Sequence, residues 1–123
     1  MLILAVGVGG ALGAVGRYLL SGAIQRLVPG SFPYGTLVVN VIGGLTFGLL
    51  VGLAEGRVVS APLARAFILT GILGGFTTFS AFTYETFELV RTGQMLYAAL
   101  NVAGQVTLAF IALWAGLVTG RAL

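Results

Sequence analysis

The chain has 123 residues, of which 59% are hydrophobic and only 7% charged, with a net charge of +3. Soluble domains carry roughly 25% charged residues, so this chain cannot cover a water-facing surface and reads as an all-α integral membrane protein. There is no cysteine and no histidine, which excludes disulfides, thiol catalysis, haem by its usual ligands and a conventional zinc site. The three acidic residues argue against a multi-carboxylate metal cage. All six cations are arginines and they form no cluster, so nucleic acid is not an expected partner. No basic stretch precedes the first apolar run, which argues against a signal peptide. One compact domain over residues 1–123 is expected.

Four apolar spans are expected. The first runs from about Leu2 to Leu27. Its glycines at 7, 9, 10, 13 and 16 are too many for a lone helix facing lipid. Gly9 and Gly13, like Gly10 and Ala14, are four residues apart, which gives a smooth face for another backbone. Arg17 follows one turn after Gly13. Long basic side chains near span ends commonly snorkel to head groups. The other readings are a cation at the mouth of an anion path, or a charge that holds the fold. Pro29-Gly30-Ser31 signals a turn, and Phe32 and Tyr34 sit where interfacial aromatics belong.

The second span runs from about Gly35 to Leu53. Thr36, Asn40 and Gly44 share one helix face, and Gly44, Gly48 and Gly52 form a second small-residue seam. A buried amide is costly unless it is hydrogen-bonded. Asn40 is therefore either glue between helices or an N–H donor aimed at a desolvated polar ligand. A loop from Ala54 to Ala61 carries Glu55, Arg57 and Ser60.

Pro62 opens the third span, where its missing N–H costs nothing. This span runs from about Leu63 to Val90, well beyond the ~20 residues that cross a bilayer. Its centre, Gly71 to Phe82, reads GILGGFTTFSAF. Gly74-Gly75 removes side chains, and Thr77-Thr78 supplies hydroxyls for freed backbone groups, so a break is expected near the middle. Irregular backbone at membrane depth survives only where protein buries it or a wet cavity borders it. Glu85 and Glu88 follow toward the far interface. After the loop Arg91 to Gln94, the fourth span runs from about Met95 to Val118. Asn101 and Gln105, one turn apart, read as a polar seam facing the bundle, with Gly104 and Thr107 beside them.

Four spans put both termini on one side. That side carries Arg57, Arg65 and Arg121 plus the amino terminus; the other carries Arg26 and Arg91, with Arg17 ambiguous. The positive-inside rule barely chooses between these. A chain so balanced can insert both ways and pair with an inverted copy of itself, as inverted repeats do in transporters.

Three motifs together resemble the Fluc fluoride channels, also called CrcB. Gly10-Ala11-Leu12-Gly13-Ala14-Val15-Gly16-Arg17-Tyr18 is similar to that family's GxxGAxxRY element. Gly35-Thr36-Leu37-Val38-Val39-Asn40-Val41-Ile42-Gly43 resembles GTLxVNxxG. Gly71 to Phe82 resembles GxxGGxTTFSTF, with Ala81 in place of a common threonine. Order, spacing and four-span length agree along the whole chain.

The resemblance implies a passive, selective fluoride channel in the cell (inner) membrane, assembled as an antiparallel dual-topology homodimer. It implies that Phe79 and Phe82 line the fluoride path and that Asn40 donates to fluoride. It places Thr78, Ser80 and Glu85 near a polar track, and matches Arg17 to the family's arginine without fixing its role. It further implies a structural sodium ion (Na+) at the dimer centre, held by backbone carbonyls of Gly74 and Thr77 from both subunits.

The chemistry is coherent on its own terms. A pore for tightly hydrated fluoride must replace its water, and an aromatic ring edge carries partial positive charge. Phe79 and Phe82, three residues apart, project in similar directions. Weak donors suit conduction, because a tightly held ion cannot leave. The plain alternative for both rings is lipid or core filling. Among other functions, a small dual-topology exporter of cationic compounds needs an embedded carboxylate, and the first span has none. An intramembrane enzyme is disfavoured because no serine has a plausible base beside it. An assembly subunit of a larger complex explains the glycine seams but not the TTFS stretch.

Overall fold

The structure is a computed structural model and describes residues 1–56 and 61–123. Arg57 and Ser60 of the expected second loop fall outside the described residues, as does the side chain of Glu55. Among the described residues all regular structure is helical. Helix α1 spans Leu2–Leu27, α2 Tyr34–Gly56 and α6 Met95–Ala122. The third span is composite. It comprises α3 (Pro62–Arg65), a π-helical stretch (Ala66–Leu73), α4 (Gly74–Phe76) and α5 (Phe79–Arg91). Among the described residues four segments are thus long and apolar enough to cross a bilayer, and the chain is a multi-pass membrane protein.

The connections between α1 and α2 and between α5 and α6 are held by side chains. Gly30 adopts φ 145° in the α1–α2 turn. Gln25 ties that turn down. Its Nε2 donates to the carbonyls of Gly30 and Phe32, and its Oε1 accepts from Gly35 N–H. Phe32 packs edge-on with Tyr97 at 5.8 Å and against Tyr34 at 4.8 Å. Helix α5 closes in a Schellman motif, with Gly93 at φ 77° and the N–H groups of Gly93 and Gln94 on Val90 and Leu89. Ser31 Oγ donates to Gln94 Oε1, joining the two loops at this end.

Packing falls into two glycine-lined pairs, α1 on the third span and α2 on α6. A Cβ at Gly9 or Gly13 would collide with backbone of Phe67 or Ile72 in the π-helical stretch. A Cβ at Gly48 would collide with Leu113 O, and one at Gly116 with Leu45 O. In lipid the close approach itself is what attracts helices, because no water needs to be expelled. The α2–α6 seam continues to Gly120 against Leu49 and Leu53, which keeps α6 packed past the expected end at Val118. The buried interior is small and partly polar. Val39, Leu73, Phe82 and Leu89 share it with Thr36, Asn101 and Gln105.

Candidate functional site

The site forms where the third span leaves helical geometry. Thr77 and Thr78 adopt extended backbone between α4 and α5. Extended backbone here strands several polar groups, and at this depth each must find a partner. A continuing helix would give Thr78 N–H to Gly74 O. Instead, Thr78 N–H donates to Asn40 Oδ1 at 2.9 Å, while Asn40 Nδ2 returns a bond to Thr78 O at 3.0 Å. One amide on α2 thus clasps both backbone groups of a residue 38 positions away.

The remaining groups are satisfied locally. Thr78 caps α5 by accepting Ala81 N–H on its hydroxyl at 3.2 Å. Thr77 Oγ1 and Thr77 N–H both donate to Leu73 O at 3.0 Å. Arg17 Nε donates to Gly75 O at 3.2 Å, which braces the end of α4. Gly43 makes room for the turn, since a Cβ there would strike Thr77 Cγ2.

The clasp continues into α6. Asn40 Nδ2 also donates to Gln105 Oε1 at 2.9 Å. Gln105 Nε2 donates to Asn101 Oδ1 at 3.4 Å, and Asn101 Nδ2 to Thr86 Oγ1 at 2.9 Å. Thr86 then donates to Phe82 O at 2.8 Å, one turn back in α5. This relay crosses three helices, and both of its amides on α6 are buried.

A groove of about 470 Å³ opens over the clasp. Its walls include Asn40, Thr77, Thr78, Phe79, Phe82 and Gln105. The Phe79 and Phe82 ring centroids lie 5.4 Å apart at 61°, an edge-on pair. Phe82 is 8% exposed and Phe79 77%, so one ring is fixed in the interior while the other stands at the rim. Thr78 and Phe79, at the N-terminus of α5, line this groove, and a helix N-terminus carries partial positive charge.

A second cavity of about 290 Å³ also borders Thr78 and includes Arg17, Thr36 and Glu85. Thr36 Oγ1 donates to Glu85 Oε1 at 2.7 Å, and Glu85 Oε2 is buried without a partner among the described residues.

The family profile described as "CrcB-like protein, Camphor Resistance (CrcB)" matches residues 4–117. The chain belongs to the CrcB family. A CrcB relative from Nitratidesulfovibrio vulgaris (strain DSM 19637 / Miyazaki F), named "Fluoride-specific ion channel FluC", is 50% identical over 119 residues, 97% of this chain and 96% of its own. A protein of the same name from Geobacter sulfurreducens is 46% identical over 121 residues, 98% of each chain. One from Opitutus terrae is 45% identical over 117 residues, 94% of this chain and 89% of its own.

In this CrcB chain the residues singled out from sequence fall into two groups. Asn40, Thr77, Thr78, Phe79 and Phe82 share the main groove. Arg17 and Glu85 both line the second cavity, and Thr78 borders both cavities. Ser80 and Gly74 line neither cavity; Ser80 Oγ pairs with Thr78 Oγ1 at 3.3 Å. Sequence reasoning kept Gln105 and Asn101 outside the site and passed over Thr86. Their signal was the amide pair one turn apart in an apolar helix; its partner across the bundle is visible only in three dimensions.

Proposed function

We propose that this chain is a fluoride-selective channel through which fluoride leaves the cell passively, protecting it from fluoride toxicity. The observation that carries this reading is the match, over nearly the whole of both chains, to proteins named as fluoride-specific channels. The same name does not favour the exporter of cationic compounds.

The groove offers what a small, strongly hydrated anion needs in place of water. Phe79 and Phe82 line the groove with rings whose edges carry partial positive charge, and the α5 N-terminus adds a fixed positive dipole end. Asn40 supplies an N–H donor. Both of its N–H groups are bonded within the protein, so the anion reaches one by exchange with an internal acceptor. Thr78, Ser80 and Glu85 continue the polar track, and Arg17 holds Gly75 and so the end of α4.

On this reading the extended pair Thr77-Thr78 is a functional break in the third span. Gly74 loses its helical donor, because Thr78 N–H goes to Asn40. Thr77 O loses its own, because Ala81 N–H goes to Thr78 Oγ1. Freed carbonyls at a helix end suit a hard cation such as sodium. Gly74 is exposed on the single chain, where an inverted second copy supplies the matching carbonyls. The assembly is then an antiparallel dual-topology homodimer that covers both grooves.

The test is purified protein in liposomes with a fluoride electrode. Fluoride should leave down its gradient at a rate far above that of chloride. Equal efflux of the two ions would defeat the selectivity claim.

A further inference from the structure

The relay from Asn40 into α6 has a consequence for how the channel donor is held. Asn40 Nδ2 carries two hydrogens, one on Thr78 O and one on Gln105 Oε1. The first belongs to a two-bond clasp that also fixes Thr78 N–H. Breaking it would undo the turn. The second is a single bond to a neutral acceptor, itself backed only by a long 3.4 Å bond to Asn101. It is the one that can be exchanged without disturbing the backbone.

We infer that Gln105 is a positioning residue for anion passage. It holds the exchangeable N–H of Asn40 in the groove, gives it up as an anion arrives and takes it back when the anion leaves. The inference rests on the reading of Asn40 as the anion's donor. Gln105 is 4% exposed and Asn101 0%, so neither amide has bulk water as a substitute partner. Gln105 also lines the groove, which puts its acceptor beside the space the anion would occupy. Asn101 fixes which way round the Gln105 amide sits. It takes the Gln105 N–H on its own carbonyl, so the Gln105 carbonyl is left for Asn40. An internal acceptor of this kind weakens anion binding by competition, and a weaker hold favours release.

Three variants test this by fluoride efflux, with dimeric elution as the check on folding. Gln105→Leu keeps the bulk and removes the acceptor. Its fluoride efflux should fall about tenfold, the scale of one buried hydrogen bond. In Gln105→Glu the protonated acid accepts from Asn40 and donates to Asn101 as the amide does. The carboxylate cannot donate to Asn101 and repels an anion. Buried carboxyls titrate as high as about 8–9. Efflux of Gln105→Glu, divided by wild type at each pH, should therefore rise as pH is lowered from about 8 to about 6, with protein-free liposomes subtracted.

A Gln105→Leu rate within about twofold of wild type overturns the inference. So does a flat pH ratio for Gln105→Glu. If Gln105→Leu fails to elute as a folded dimer, the Gln105→Glu profile decides alone. Wild-type efflux from Asn40→Ala would instead remove Asn40 as the donor, and the inference with it.

Discussion

At the scale of single residues, the site is governed by what Thr78 gives up and who receives it. Extended backbone at Thr77 and Thr78 frees donors and acceptors where the bilayer offers none. Asn40 has one carbonyl and one amino group, a match for one N–H and one C=O, and so closes the account at Thr78. Beside this clasp the rings of Phe79 and Phe82 differ in exposure, and that difference separates their expected phenotypes. Phe79→Ile and Phe82→Ile should each cut fluoride efflux by about tenfold, the scale of an aromatic edge interaction of roughly 1–1.5 kcal/mol. Phe82→Ile should also lower stability by about 1 kcal/mol, because that ring is 8% exposed and its replacement leaves a small void. Phe79, at 77% exposure, should show little such loss in the isolated chain. Efflux from liposomes and melting in detergent measure the two effects separately. Wild-type efflux in both variants would remove the rings from the mechanism.

At the scale of helices, glycine decides which faces meet. Gly9 and Gly13 admit the backbone of the third span, and Gly44, Gly48 and Gly52 admit α6. Gly48→Leu places carbon where Leu113 O now lies, so it should destabilise by about 1–3 kcal/mol and reduce folded yield. Gly7 faces open space, and Gly7→Ala should be neutral or mildly stabilising through helix propensity. Melting temperature and monodispersity in detergent read both, and a Gly48→Leu protein that melts with wild type would show that the seam is slack. Much of this level was legible in the sequence. Apolar length marked all four spans, and four-residue glycine spacing marked the faces that pack, because both follow from bilayer thickness and helix period. Gly74-Gly75 and Thr77-Thr78 pointed to the stretch where backbone geometry changes, but not to its form. Glycines permit many conformations without choosing among them, so the π-helical turns over Ala66–Leu73 left no sequence mark. The pairing of Asn40 with Thr78, and of Gln105 with Asn40, joins residues 38 and 65 positions apart. Periodicity carries no information over such distances.

At the scale of the whole molecule, the balance of charge bears on orientation. Apart from Arg17, the arginines divide three to two between the faces, which gives insertion little preference. A single copy leaves the groove over Asn40, Phe79 and Phe82 open, with exposed apolar side chains around its rim. The antiparallel partner proposed above would cover it. The chain has no cysteine, so one engineered thiol reports orientation without interference. Val28 is exposed at the α1–α2 turn, clear of both cavities. With Val28→Cys in intact cells, a membrane-impermeant maleimide should label about half of the molecules, and permeabilisation should expose the rest. Labelling of all molecules, or of none, before permeabilisation would fix a single orientation and remove the antiparallel dimer. The same variant should retain wild-type efflux, because the turn touches neither the clasp nor the rings. Orientation is thereby read in a channel that still conducts.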